Sequence, residues 1–174
     1  QETRICEVGH YVMQARGKRL RPTLVCLVAQ CFQEELSDDV IRLAAIVELL
    51  HAATLLHDDV IDASLLRRNR STAHEVWDNK TSILVGDFLY SMAFQLIATI
   101  PNQQVVSVLA AATGEIITGE LQQNQQCGQL DLSVEAYFQV IGKKTAVLFL
   151  TSKNHSCYFR GIRVHYTNKV SEYH

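Results

Sequence analysis

The chain has few of the residues that interrupt helices. Of its 174 residues, 2 are Pro and 8 are Gly, and 48% are hydrophobic. Scarce helix breakers among many Ala, Leu, Val, Ile and Gln residues favour a helical protein. The length fits one globular domain of ordinary size. The sequence shows no convincing period-two strand pattern, no repeat and no low-complexity segment, so it predicts an all-α fold.

Strong net charge, paired cysteines and long apolar runs are also lacking. The formal net charge is −2, which gives no general attraction to nucleic acid or to an anionic membrane surface. No apolar run reaches the ~18 residues that a membrane span needs, and no signal peptide opens the chain. The five cysteines form no CxxC pair and are odd in number, which favours reduced thiols. We therefore expect a cytoplasmic protein with no transmembrane segment and no nucleic-acid partner.

A dense group of charged residues follows the most apolar stretch of the chain. Residues 38–56 read as a helix that is apolar on nearly all sides, which predicts a buried central helix. The helix continues into HDDVID (57–62), and the pair Arg67 and Arg68 follows shortly after. Arginine has planar donors that suit phosphate groups. The segment therefore indicates a site for a cation and an anionic ligand.

The spacing of the carboxylates favours a metal ion. Asp58 and Asp62 are four residues apart and face the same way, with Asp59 to the side, and His51 points within about 20° of Asp58. Carboxylates at this spacing repel each other unless a cation lies between them. Hard oxygen ligands without a thiolate favour Mg²⁺, which typically binds one or two carboxylates plus substrate phosphates. The sequence thus predicts a magnesium-diphosphate site.

A second basic segment precedes the central helix. Four of the six residues from Arg16 to Arg21 are basic, and Pro22 suits the first turn of the next helix. Two interpretations stay open for this segment. It is either a solvated basic loop or an anion site, where backbone N–H groups and basic side chains converge on phosphate.

The helical pattern stops near residue 150. Residues 150–174 have no apolar stripe, and their histidines, His155, His165 and His174, match no metal-ligand spacing. We expect residues 1–149 to form a partial helical domain and residues 150–174 to be an atypical tail, out of frame or disordered. The chain also begins at Gln1 without a Met, so we expect a truncated chain.

Six segments, taken in order, resemble the trans-isoprenyl diphosphate synthase (polyprenyl synthetase) family. The likeness is closest to its long-chain bacterial members, such as the octaprenyl diphosphate synthases. DDxxD alone is a modest signal, whereas the ordered set is highly specific. The segments are GKRLRP (17–22), ELLHAATLLHDDVID (48–62), LLRRNRSTAH (65–74), LVGDFLY (84–90), ITGELQQ (117–123) and KTAVLF (144–149).

The resemblance implies a fold and an activity. The family fold is an isoprenoid-synthase-type helical bundle around a central cavity, usually a homodimer, and this chain would form only its N-terminal and middle part. The implied enzyme is a prenyltransferase that condenses isopentenyl diphosphate with an allylic diphosphate, such as farnesyl diphosphate. With Mg²⁺ as cofactor it would make a long-chain all-trans polyprenyl diphosphate for quinone side chains, such as that of ubiquinone.

The resemblance also implies roles for single residues. The contacts to isopentenyl diphosphate would be Lys18, Arg21, His51 and Arg68. The first aspartate-rich motif, which holds Mg²⁺, would be Asp58 and Asp62 with Asp59 in support. The residues that reach the allylic diphosphate would be Arg67, Lys144 and Thr145. Together the carboxylates and the lysine-threonine pair make up the predicted catalytic set.

Two small residues bear on product length. Ala53 and Thr54 lie five and four residues before Asp58, about one turn above the metal, where the growing tail should pass. Bulky aromatic residues there would close the tunnel, as in short-chain relatives. Small residues leave it open, which predicts a long-chain product.

One family motif is missing, and it keeps an alternative open. The family has a second aspartate-rich motif after the lysine-threonine pair, but the only Asp after Asp87 is Asp131. The chain is then either a synthase or a non-catalytic or inactive partner subunit of a prenyl synthase. A His-Asp metal phosphohydrolase, suggested by His51 and His57 with Asp58, is a weaker rival, because it needs neither GKRLRP nor the arginine pair. Asn69, where many relatives have Gly, is a minor departure.

Overall fold

The computed structural model describes residues 2–15, 17–31, 35–128 and 131–146, and these residues form an all-α fold. The predicted boundary at residue 149 and the tail lie outside the described residues. In chain order the elements are α1 (Glu2–Met13), α2 (Leu20–Gln30), α3 (Asp38–Ile61), β1 (Leu66–Arg67), β2 (Arg70–Ser71), α4 (Ala73–Val76), α5 (Asn79–Ala98), α6 (Gln103–Gln126), α7 (Val134–Ile141) and a π-helical turn (Gly142–Ala146).

Helix α3 lies at the centre of the fold, as its sequence predicted. It packs mainly against α2 and α5, because apolar residues such as Leu43, Ile46 and Leu50 are buried against these helices. Ser37 caps its first turn, since the Ser37 hydroxyl accepts a hydrogen bond from the Val40 N–H at 3.4 Å. The central position of α3 makes its C-terminal end the meeting point of several elements.

Two apolar clusters hold the two halves of α3. The first joins α2, the first half of α3, the end of α5 and the start of α6; its largest fully buried members are Val25, Val40, Leu43, Ile46, Val47, Leu50, Val105 and Leu109. The second joins α1, α3, α4 and α5; its buried members are Val8, Ala52, Ala53, Leu56, Ala73, Val85 and Leu89. Full burial of one Leu, Ile or Val side chain stabilises a fold by about 1.5–3 kcal/mol. The second cluster fixes the end of α3 that carries the aspartates.

Helices α3 and α5 approach closely at Gly86. The Nε2 atom of His57 lies 3.1 Å from the carbonyl oxygen of Ile83 and 3.4 Å from Oδ1 of Asp87. A Cβ atom at Gly86 would lie 2.3 Å from the same Nε2 atom. A glycine at this position therefore lets the imidazole fit between the two helices.

A short hairpin connects α3 to α4. Its strands are antiparallel, with Leu66 opposite Ser71 and Arg67 opposite Arg70. The turn residues Arg68 and Asn69 have φ angles of 54° and 62°. Positive φ at both central residues is the pattern of a type I′ turn, and Asn adopts it more readily than most residues. The sequence shows no period-two pattern here, because two residues per strand are too few to show alternation.

Helices α3 and α5 are long and apolar enough, by length and composition, to cross a membrane. Half of the apolar window of α3 and a third of that of α5 are buried inside the protein. Core helices commonly have the same length and composition. The two helices are thus only a weak indication of a membrane span, and the expected lack of a transmembrane segment stays a prediction.

Candidate functional site

A basic cleft of about 50 Å³ lies between α1, α3 and the hairpin. Its apolar wall comes from residues such as Ala52, Leu55 and Leu56 of α3. Its charged or titratable lining residues are Arg19, Glu48, His51, Asp59, Arg67, Arg68 and Arg70. Four guanidinium groups face two carboxylates, so the cleft carries excess positive charge and suits an anion.

Asp59 and Arg67 form the most buried ion pair of the cleft. The Nε atom of Arg67 donates to Oδ1 and Oδ2 of Asp59 at 2.8 and 3.0 Å, and one terminal nitrogen lies 2.6 Å from Oδ1. Asp59 is only 5% exposed, whereas Arg67 is half-buried. Such a fork fixes the direction of the guanidinium. Asp59 is therefore turned toward Arg67, away from the other two aspartates.

His51 is an uncharged residue among cations. Burial, followed by the charges of Arg21, Arg67, Arg68 and Arg19, lowers the pKa of His51 to about 3. A neutral imidazole can take part in a hydrogen bond without adding to the positive charge. The structure thus brings four predicted substrate-binding residues, His51 and three of the arginines, to one place.

The loop before α2 contributes to the cleft through Arg19. Arg19 forms an ion pair with Glu48 of α3 and also donates to the Met13 carbonyl, with a left-handed backbone at φ 49°. Lys18 is exposed and does not line the cleft. Arg19 therefore ties the basic loop to α1 and α3, and Lys18 remains directed to solvent.

The hairpin places Arg68 over the same loop. One terminal nitrogen of Arg68 donates to the Ala15 carbonyl oxygen at 3.3 Å. A Cβ atom at Gly17 would lie 2.5 Å from that nitrogen. The glycine of GKRLRP therefore leaves the space that the guanidinium occupies.

An acidic site lies on the neighbouring side of α3. The Nζ atom of Lys144 is 3.4 Å from Oδ2 of Asp58 and 2.7 Å from Oε2 of Glu120, and it donates to Oε1 of Gln123 at 3.2 Å. Burial, the charge of Glu120 and that of Asp62 raise the pKa of Asp58 to about 6, and Lys144 opposes them. The carboxylates thus outnumber the one ammonium that neutralises them.

The carboxylates fit a divalent cation only in part as the sequence predicted. Asp58 and Asp62 lie one turn apart, and Asp62 is exposed at the end of α3. Among the described residues, no three His, Cys, Asp or Glu side chains converge closely enough to hold a metal ion. Two hard carboxylates remain, which is the number that Mg²⁺ commonly takes from protein when phosphates supply the rest. Asp59 pairs with Arg67, and its predicted metal role stays a prediction.

Sequence reasoning missed Glu120 and Gln123 of α6. Both lie in ITGELQQ, where no spacing pointed to chemistry, since their partner is distant in sequence. A Cβ atom at Gly119 would lie 2.9 Å from Cβ of Lys143 and 3.0 Å from the backbone nitrogen of Lys144. Gly119 therefore admits the turn that carries Lys144. Nothing is described of the side chain of Thr145.

The two residues predicted to set product length have different surroundings. Ala53 is completely buried in the second apolar cluster. Thr54 is half-buried, and its hydroxyl donates to the carbonyl oxygen of His51 at 2.8 Å. Of the two positions, Thr54 has the room for a larger side chain.

The chain is similar to known polyprenyl synthases. The family model for polyprenyl synthetase matches residues 2–174. An octaprenyl diphosphate synthase from Haemophilus influenzae is 43% identical over 145 residues, which are 83% of this chain and 44% of that protein. The chain thus spans less than half the length of this relative.

Solved structures show the same likeness. A decaprenyl diphosphate synthase from Rhodobacter capsulatus superposes with a TM-score of 0.88 at 41% identity, over 92% of this chain and 49% of that one. A polyprenyl synthase from Caulobacter crescentus, complexed with calcium and isoprenyl diphosphate, superposes with a TM-score of 0.85 at 38% identity. That match covers 90% of this chain and 48% of the other.

Proposed function

The chain belongs to the polyprenyl synthetase family, and on this premise we propose that it acts as a trans-prenyltransferase. It would condense isopentenyl diphosphate with an allylic diphosphate such as farnesyl diphosphate. One observation carries the proposal: a basic cleft and an acidic site adjoin on the same end of α3. Two diphosphates need two sites, one made of cations and one able to take a metal.

The basic cleft would bind isopentenyl diphosphate. Arg68 and the neutral His51 line the cleft, and Arg21 of α2 carries its charge close to His51. Lys18, which is exposed on the loop before α2, would have to turn toward the bound diphosphate. Arginine binds phosphate oxygens through two parallel hydrogen bonds, which fixes orientation as well as affinity. The diphosphate would therefore be held while the hydrocarbon end rests on the apolar wall.

The acidic site would bind the allylic diphosphate. Asp58 and Asp62 would hold Mg²⁺, which when bound neutralises charge on a departing diphosphate. The allylic C1–O bond breaks, and its electron pair leaves with the diphosphate. Arg67, oriented by Asp59, and Lys144 with Thr145 would stabilise that developing negative charge.

The carbon–carbon bond forms next to the apolar wall. The isopentenyl double bond attacks C1 of the allylic cation, and the adduct loses a proton to give the new double bond. Water would quench the cation, so the site has to exclude it. The wall formed by Leu55 and Leu56 suits that task.

We further propose a long-chain all-trans product for a quinone side chain, made in the cytoplasm by a homodimer. Ala53 and Thr54 are too small to close a tunnel. Because Thr54 is half-buried, Thr54→Phe should shorten the product without disturbing the core. Thr81→Phe, at a half-buried position on α5, is the matched control.

A condensation assay tests the proposal. The chain is incubated with Mg²⁺, labelled isopentenyl diphosphate and farnesyl diphosphate, and the products are separated by length. We expect products longer than the primer, and we expect their loss on chelation of the metal and in Asp58→Asn. Binding of both diphosphates without elongation would instead favour the partner-subunit alternative, which the comparisons with octaprenyl and decaprenyl synthases do not favour.

A further inference from the structure

We propose that Glu120 is a positioning residue for Lys144, and this inference rests on the proposed function. Glu120 holds the ammonium group beside Asp58, where the allylic diphosphate would arrive. Glu120 lies on α6 and would not itself touch substrate. It acts through the lysine.

The contacts of the ammonium group favour Glu120 as its main partner. The Nζ atom of Lys144 lies 2.7 Å from Oε2 of Glu120 but 3.4 Å from Oδ2 of Asp58. Glu120 is 9% exposed, so its carboxylate has little water to solvate it. A buried carboxylate without a counter-charge is strongly unfavourable. Lys144 and Glu120 therefore stabilise each other in this position.

The same contacts indicate where Lys144 would stay once Asp58 binds a cation. An ammonium group has three donors, and in this structure Glu120, Asp58 and Gln123 surround it. A cation bound by Asp58 removes one of these acceptors. Glu120 and Gln123 still hold Lys144 on α6, so the ammonium stays close to the incoming diphosphate.

A second feature places the same segment. Gly119 precedes Glu120, and its missing side chain lets α6 touch the backbone of Lys144, where a Cβ atom would lie 3.0 Å from the nitrogen. Adjacent residues of α6 therefore set both the backbone and the side chain of Lys144. Among the described residues, neither carboxylate oxygen of Glu120 has a partner that meets hydrogen-bond geometry, so the ion pair with Lys144 is the contact that compensates for its burial.

The first test asks whether Glu120 holds the lysine at all, independently of any substrate. Ammonium groups in buried ion pairs exchange slowly and give a ¹⁵Nζ NMR signal, which the loss of signal in Lys144→Arg assigns. We expect Glu120→Gln to abolish the Lys144 signal. Glu115→Gln, the same change at an exposed position of α6, should leave it intact. A retained signal in Glu120→Gln overturns the inference.

The second test asks whether the contact between Glu120 and Lys144 affects the affinity for a diphosphate. Titration calorimetry with inorganic pyrophosphate and Mg²⁺ is carried out on the wild type and the variants. We expect Glu120→Gln to weaken binding about tenfold, since the ion pair that holds the ammonium becomes a weaker contact with a neutral amide. Glu115→Gln should bind like the wild type, and Glu120→Asp, which keeps the charge, should recover part of the affinity.

The outcomes separate the inference from the function on which it rests. Unchanged pyrophosphate affinity in Glu120→Gln overturns the positioning role, even if the wild type binds well. No binding by the wild type overturns the proposed function, and the ¹⁵Nζ signal then reports on the Glu120–Lys144 contact alone. Circular dichroism of each variant excludes loss of fold as the cause, and Glu120→Asp provides the readout if Glu120→Gln does not fold.

Discussion

Both carboxylate oxygens of Asp59 accept hydrogen bonds from the guanidinium of Arg67. This pair joins the last turn of α3 to strand β1, across the loop between them. It gives this aspartate of the DDxxD motif a second task, that of orienting an arginine. The motif thus contributes to the basic cleft as well as to the acidic site.

Removing Arg67 should destabilise the fold. In Arg67→Ala the buried carboxylate of Asp59 loses its partner, and we expect a loss of about 3 kcal/mol in the free energy of unfolding. Urea denaturation measures it. Asp39 and Arg42, a half-buried pair on the same helix that is more accessible to water than Asp59 and Arg67, have 2.6 Å between the charged atoms and give the control. Arg42→Ala should cost only about 0.5 kcal/mol, and an equal loss in both variants would contradict the prediction.

The pH dependence of stability should carry the signature of His51. Its pKa is lowered from 6.5 to about 3. Between these pH values the unfolded chain binds a proton at this residue and the folded chain does not. Stability then falls as the pH drops from 6.5 toward 3, by up to about 1.4 kcal/mol per pH unit. His51→Gln should flatten this slope in urea titrations at stepped pH. His10→Gln, at an exposed site on α1, should not.

Asp58 should have the opposite effect on the pH dependence of stability. Its pKa is raised from 3.8 to about 6, so as the pH falls the folded state takes up the proton before the unfolded one. Without added metal, this term increases stability between pH 6 and 3.8. Asp58→Asn should remove the term and raise stability at pH 7 by about 1 kcal/mol, since water screens part of the effect. Thermal melts in metal-free buffer test it, and a drop in stability at pH 7 would count against it.

Substitution by Ala should have opposite effects on stability at Gly86, where α3 and α5 approach closely, and at Gly114 of α6, where there is open space. Gly86→Ala would push on the imidazole of His57 and should cost about 1–3 kcal/mol. Gly114→Ala, at a helical site with no atom within 4 Å of a Cβ, should stabilise by about 0.5–1 kcal/mol. Urea denaturation compares them. If the crowding is real, the double variant Gly86→Ala with His57→Ala should lose less than the two single losses added together.

The hairpin turn predicts which residues position 69 tolerates. Asn69 has a φ of 62°, a conformation that Gly adopts without strain and Val does not. Asn69→Gly should be neutral, whereas Asn69→Val should cost about 1–2 kcal/mol. It should also weaken pyrophosphate binding, because Arg67 and Arg68 adjoin the turn. Ser71→Val, in a strand that accommodates a β-branched side chain, is the control for the stability measurement.

Much of the fold was accessible from the sequence because the signal was periodic. The long apolar segment of α3 predicted a central helix, and the ordered motifs predicted the family, which the comparisons confirm. Asn69 was noted only as a departure from Gly. Its left-handed backbone shows that Asn meets the same conformational need, which no helix or strand period encodes.

The site was less accessible because it depends on contacts distant in sequence. Spacing placed His51 and Asp58 on one stripe, yet His51 lines the basic cleft and Asp58 meets Lys144. Seven residues of helix separate them by about 10 Å along the axis. Each side chain therefore contacts a different neighbouring element. Glu120 was invisible for the same reason, since its partner is 24 residues away on a π-helical turn.

Both sites lie on one continuous helix, α3, and this helix fixes their position relative to each other. The separation between the basic cleft and the acidic site is set by the number of helical residues between them, at about 1.5 Å and 100° each, rather than by loops. A single residue inserted between His51 and Asp58 would turn the aspartates by more than a quarter of a circle relative to the cleft. Insertions should therefore be tolerated in the loop between α5 and α6, which carries no residue of either site, but eliminated by selection within this segment.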